Sequence, residues 1–241
     1  MKLTNQIFLP GTEKQISLFL NSEIPENKSV LIIGSGSEEI AKIFRQNNAA
    51  EIFLIVEDED SLVQSRFLLS DEKEIKIRMM DFTNTDFKPE KFDIIYAQGS
   101  TGVKKRKRIV KEIKKIIKPD GTFCVGEIVS LTENPPQFVK DIWENSNLTP
   151  LFAESIKDFY LSNGFEVTFE KDLSNTLKDF YSKSKELLSE SSKDLSGGDL
   201  KHFQKIARTY KHEANAYLKL GGDKYIGFWM LVLKSNSNLK S

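Results

Sequence analysis

The 241-residue chain has one cysteine, two histidines, no surplus of either charge and no long uninterrupted apolar run. Each scarcity removes a class of explanation. A single thiol forms neither an internal disulfide framework nor a multi-cysteine metal site, and Cys124, within the apolar run TFCVG, is expected to be a buried core residue in a reduced compartment. His202 and His212 stand ten residues apart, whereas a helical metal pair needs four-residue spacing or a third convergent ligand, so no metal is expected. Lysine plus arginine and aspartate plus glutamate number 35 each, which leaves no bulk field to favour nucleic acid or an anionic membrane. The N-terminal segment MKLTNQIFLPGTEKQISLFL is interrupted by Pro10, Gly11, Glu13 and Lys14, so it has no signal core and nothing approaching a membrane span. A cytoplasmic location is the expectation.

What the chain does have begins at residues 30–38, VLIIGSGSE. An apolar strand that breaks into Gly34, Ser35 and Gly36 can bring bare backbone close to a ligand, because glycine accepts positive φ and carries no Cβ. About twenty residues on, the apolar run FLIVE ends in Glu57, followed by Asp58, where a carboxylate can accept hydrogen bonds from both hydroxyls of a ribose. Strand, glycine loop, helix, strand and acid in that order describe a nucleoside site; a solvated helix start is the rival reading of the acidic cluster 57–60.

Periodicity extends the pattern. A short amphipathic helix is predicted over 12–22, strands over 29–33, 52–56, 75–81, 92–96 and 122–128, and helices over 37–47, after Glu57 and over 106–117, with KPDG at 118–121 as a turn. Beyond 130 a Pro135-Pro136 loop leads through Trp143 to a helix at 150–162, a strand at 165–170, about fifty polar and mostly helical residues, and a last strand at 225–234. Alternating strands and helices imply a parallel sheet with crossovers.

These motifs, taken in order, resemble the class I S-adenosylmethionine-dependent methyltransferases over most of the chain, from about Phe8 to Lys234. The resemblance implies an α/β, Rossmann-like seven-stranded sheet, mostly parallel with an antiparallel last strand, helices on both faces and a helical cap insertion. It divides a single domain into an N-terminal helix or lid (1–28), a cofactor-binding core (29–172), a cap (173–223), a last strand (224–234) and a disordered tail (235–241). By the same resemblance S-adenosylmethionine is the cofactor. Gly34, Ser35 and Gly36 take the place of the loop beneath its methionine part, Glu57 and Asp58 that of the ribose acid, Asp81 and Phe82 that of the pair near the adenine, and Gln98 and Gly99 that of the loop after the fourth strand. Phe92-Asp93 and Lys118-Pro119-Asp120-Gly121 match further family positions, and Leu9-Pro10-Gly11-Thr12 resembles a segment that closes over the cofactor. Two positions depart: Ile32 stands where the family has an acid and Glu38 where it has a third glycine.

The implied activity is methyl transfer to a small-molecule acceptor, with substrate under the cap. Orientation alone supplies much of such catalysis, so a base is needed only where the acceptor loses a proton. Glu127, His202 and His212 are the candidates. Ile32 and Glu38 motivate a second reading, a catalytically silent binding protein that keeps the fold. A nicotinamide-dependent oxidoreductase and an RNA methyltransferase are weaker alternatives, the latter resting on Lys104-Lys105-Arg106-Lys107-Arg108, which otherwise reads as a solvated helix start. Asp93, at a strand entrance, reads as structural. Trp143, Tyr160, Tyr181, Tyr210, Tyr217 and Tyr225 are read as packing that could also wall a substrate pocket.

Overall fold

The computed structural model describes residues 7–191 and 211–235. Its centre is an eight-stranded sheet built from β1 (Ser29–Ile33), β2 (Glu51–Val56), β3 (Ile75–Met79), β4 (Phe92–Gln98), β5 (Ile117–Ser130), β6 (Leu151–Phe152), β7 (Phe165–Asp172) and β8 (Ile226–Ser235). The order across the sheet is β3-β2-β1-β4-β5-β8-β7, with β6 paired to the end of β5. Strands β1 to β5 run parallel, while β8 enters antiparallel between β5 and β7. The chain therefore reverses strand order between β1 and β4, and open α/β sheets bind ligands beyond the carboxyl ends of strands at such a point.

Burial follows from strand parity. Ile32, Leu54, Tyr96 and Cys124 face one core, and Leu31, Ile33, Phe53, Ile95 and Ala97 face the other, so β1, β2 and β4 read as continuous apolar runs because both faces are covered. On the first face α1 (Thr12–Leu20) and α2 (Glu38–Gln46) present Phe19 and Phe44, which meet the Tyr96 ring edge-on at centroid distances of 5.7 and 5.6 Å. On the second, α4 (Arg106–Ile116) buries Ile109, Val110, Ile113 and Ile116 at helical spacing. Helix α3 (Glu59–Leu68) starts where the Asp58 carboxylate accepts from the Ser61 N–H at 2.8 Å, a side-chain N-cap. Burial drives the Cys124 thiol proton affinity up, which leaves it an inert core group.

Three expectations shift in detail. The turn foreseen at 118–121 is instead an irregularity inside β5: Ile117 pairs with Phe92 and Thr122 with Ile94, so the intervening residues bulge out, with Asp120 at φ 60°. The helix foreseen over 150–162 begins only at Ile156, as α6 (Ile156–Ser162), because Leu151 and Phe152 pair with Val129 and Ser130. Arg106, expected in solvent, is buried, while its neighbours Lys104, Lys105, Lys107 and Arg108 are exposed. The proposed cap is represented by α5 (Gln137–Asn145) nearby, α7 (Leu177–Ser191) and a helical stretch at 211–219, here α8. The foreseen tail, apart from Ser235, lies outside the described residues. No helix among the described residues is long and apolar enough to cross a membrane.

Candidate functional site

At the carboxyl edge of β1, β2 and β4 the chain leaves a cavity of about 540 Å³. Gly34, Ser35, Glu57, Asp58 and Phe82 form the wall beyond β1, β2 and β3. Gln98, Gly99 and Ser100 continue it past β4. Ile128 on β5, Asn145, Ser146 and Leu148 at the end of α5, Phe180 and Tyr181 on α7, and Glu213 on α8 form the opposite wall. Both sets line the same crevice.

The glycine loop is shaped as the sequence requires. Gly34 has φ 114°, and a Cβ there would fall 2.5 Å from the Ser100 Cβ. Gly36 has φ 79°, and a Cβ there would crowd Leu9 at 3.2 Å. Gly36 itself does not line the cavity; its bareness lets the N-terminal segment close down. That segment is pinned from beneath: the Gln98 amide donates to the carbonyls of Pro10 and Thr12, both at 2.9 Å, and its oxygen accepts from the Tyr96 hydroxyl at 2.8 Å. Phe8, Leu9 and Pro10 thereby become part of the cavity wall. Gln98 acts on the site through the lid.

Glu57 is exposed at the cavity rim, with Lys105 Nζ 4.0 Å from its carboxylate. Asp58 shares the wall but already caps α3. Asp81 is not brought into the lining: its carboxylate accepts from the Thr83 N–H at 2.8 Å, which holds it below the ordinary carboxylate range, and it is Phe82, buried, that reaches the cavity. Glu38 does not point negative charge at the loop; it is buried in the first turn of α2 and accepts from Ser65 Oγ at 2.6 Å. Ile32 is wholly buried in the core.

The candidate bases divide. Glu127 points to the face of the sheet away from the cavity wall, 1% exposed, and accepts from Thr101 Oγ1 at 2.8 Å, Tyr160 Oη at 2.6 Å and Arg106 Nε at 2.8 Å. Three donors saturate it, so its place is structural, and the parity of β5 is the reason: Cys124 and Ile128 face the α1 side, Val125 and Glu127 the α4 side. His212 is exposed and outside the lining. His202 and Tyr210 lie outside the described residues. Besides Glu57 and Asp58, Glu213 also reaches the cavity, beside His212 in sequence and 6% exposed. Only its placement on the inner face of α8 distinguishes it from other helix glutamates, and the spacing of a cap helix of unknown register carries no such signal. Of the aromatics, Tyr181 lines the cavity and stacks on Tyr217 at 4.7 Å, while Tyr160 packs with Glu127. Asp93 is structural as expected, accepting from Ser29 and Lys118 at the far edge of the sheet.

The comparisons bear on the glycine loop, the Glu57 carboxylate at the cavity rim and this strand order: residues 31–125 match a family described as a methyltransferase domain. Over 103 residues the chain is 29% identical to the sterol 24-C-methyltransferase of Candida albicans, an alignment covering 39% of this chain and 27% of that enzyme. The chain thus spans about a quarter of the length of the curated relatives it matches. Among solved structures the cyclase SpnF superposes with a TM-score of 0.75 at 18% identity, covering 93% of this chain and 80% of that one. A geranyl diphosphate C-methyltransferase from Streptomyces coelicolor A3(2), in complex with Mg2+, geranyl diphosphate and S-adenosyl-L-homocysteine, gives 0.68 at 10% identity, covering 92% and 79%. At these identities the likeness establishes the fold alone, a Rossmann-like methyltransferase fold, which extends past the matched residues 31–125 to β7 and β8.

Proposed function

We infer that this chain is an S-adenosylmethionine-dependent methyltransferase acting on a small molecule. The observation that carries the reading is the shared cavity: a loop at Gly34 too tight for a Cβ and the Glu57 carboxylate line the same crevice as Phe180, Tyr181 and Glu213 of the helices after β7. The residues fit the cofactor. Gly34 and Ser35 offer backbone to its methionine part, Glu57 accepts from the ribose hydroxyls, and Phe82 supplies an apolar wall for the adenine. Asp81 serves the adenine amino group if its Thr83 bond yields. Bound there, S-adenosylmethionine would supply an activated methyl group. The protein's task is then to hold the acceptor in line and keep water out, a contribution on the order of 7 to 11 kcal/mol when orientation is complete. The lid residues Leu9 and Pro10 and the aromatic pair Phe180 and Tyr181 supply that enclosure.

Isothermal titration of the purified protein with S-adenosylmethionine and S-adenosylhomocysteine tests this reading: saturable heat is expected, and neither heat nor a thermal shift at millimolar ligand overturns it. The buried Ile32 and Glu38 favour a second reading, a fold-retaining protein without methyl transfer, as does the likeness to a cyclase. Formation of S-adenosylhomocysteine with a small-molecule extract from cells counts against it.

A further inference from the structure

Glu213 is a buried carboxyl group with no salt bridge to a cationic side chain among the described residues. Among the described residues its one hydrogen-bond donor is the Ser146 hydroxyl, at the end of α5, and its second oxygen has none. His212 contributes charge only from the exposed side of α8, and burial outweighs both in pushing the Glu213 carboxyl up from its usual range. Carboxylates this deep are normally paired, since an isolated buried charge costs several kcal/mol. Two aromatic side chains share the wall: Phe180, 8% exposed, and Tyr181, 4% exposed, with ring centroids 5.0 Å apart. Aromatic faces attract cations and give little to a neutral hydroxyl. Asn145 completes the rim as an uncharged hydrogen-bonding group.

We propose that this pocket takes an amine-bearing small molecule, with Glu213 as the counter-charge that receives the nitrogen and Phe180 and Tyr181 as its aromatic walls. The proposal rests on reading the crevice as a methyl-transfer site and names the acceptor atom within it. An ammonium held at the Glu213 carboxylate gives one proton to solvent, which leaves the carboxylate unprotonated. The freed nitrogen lone pair then forms the new C–N bond as the methyl carbon's bond to sulfur breaks, its electron pair remaining on sulfur as the thioether of S-adenosylhomocysteine. Glu213 takes the proton released by the methylated nitrogen when that product leaves neutral. Raised proton affinity suits a carboxyl group to this exchange, since a base works best when its pKa approaches the working pH.

The test is a binding measurement on the whole protein at about pH 8, with and without saturating S-adenosylhomocysteine, using n-hexylamine and n-hexanol as probes of equal chain length. Hexylamine is expected to bind about tenfold more tightly than hexanol or better. In Glu213→Gln that preference disappears while S-adenosylhomocysteine affinity stays at the wild-type level. Equal binding of the two probes by the wild-type protein overturns the proposal without any variant. So does an undiminished preference in Glu213→Gln, or a fall in its S-adenosylhomocysteine affinity, which would assign Glu213 to the cofactor. Failure of the wild-type protein to bind S-adenosylhomocysteine refutes the cofactor reading separately, and the probe titration without it still decides the amine pocket. Should Glu213→Gln not fold, Glu213→Asp keeps the charge with a shorter reach and is expected to retain the amine preference in weakened form; a preference equal to or above wild type overturns it.

Discussion

Arg106 donates its Nε–H to Glu127 at 2.8 Å, and neither side chain is more than 7% exposed. The guanidinium also donates to the Thr149 carbonyl at 2.6 Å, so the pair ties α4, β5 and the segment before β6 together. Removing one member of a buried pair strands the other. Glu127→Ala is therefore expected to cost about 3 to 5 kcal/mol in unfolding free energy. Denaturant titration measures it. A variant of near wild-type stability with lost turnover would instead make Glu127 the base.

Gln98 controls the lid from below. Gln98→Ala removes two donors to the Pro10 and Thr12 carbonyls and leaves the buried Tyr96 hydroxyl without its acceptor. At about 1 kcal/mol per bond, the amide of Thr12, which donates to Leu9, is expected to exchange with solvent roughly tenfold faster or more. Because Leu9 and Pro10 line the cavity, S-adenosylhomocysteine affinity falls alongside. Hydrogen exchange followed by mass spectrometry reads the first effect and calorimetry the second.

Glu57 meets Lys105 only at 4.0 Å on the surface, an arrangement that contributes little to stability. Glu57→Ala is thus expected to leave the denaturation midpoint almost unchanged. Loss of charged hydrogen bonds to a ribose, at roughly 1.5 to 3 kcal/mol, weakens S-adenosylhomocysteine binding about ten- to a hundredfold. An unaltered dissociation constant refutes the ribose role.

Asp93 supplies a pH dependence. Burial pulls its carboxyl upward, but bonds from Lys118 and from the hydroxyl and N–H of Ser29 outweigh it, so the folded value lies below the ordinary 3.8. A depressed carboxyl stabilises the fold above its unfolded pKa, and this contribution vanishes as pH falls through the lower, folded value. The stability gap between wild type and Asp93→Asn is expected to be full at neutrality and to close below about pH 3.8. Denaturant midpoints across acid pH measure the gap, and a constant one contradicts the assignment.

The parallel half of the sheet was legible because residues such as Ile32, Leu54 and Tyr96 form uninterrupted apolar runs, and turn residues mark their ends. The placement of Gly34 and Glu57 at the cavity was equally legible, since both stand at the carboxyl ends of strands. Glu127 misled as a candidate base: its position at the end of β5 is suggestive, but the face it occupies depends on a register shift around Asp120 that composition does not reveal. Arg106 was hidden within a run of exposed cations, because only the buried Glu127 explains why one of five turns inward. Glu213 was invisible for a different reason. Its depth comes from long-range docking of α8 against the end of α5, where Ser146 waits.

The position of β8 has a consequence for how the molecule is made. Residues 226–235 separate β5 from β7, and among the described residues β7 has no other neighbour in the sheet. A nascent chain that has emerged only as far as β7 therefore shows one finished flank, one open row of backbone donors and acceptors along β5, and a strand with nothing to join. Such a species is prone to wrong pairings between molecules. Until synthesis delivers those ten residues, that flank stays open to pairing with other chains.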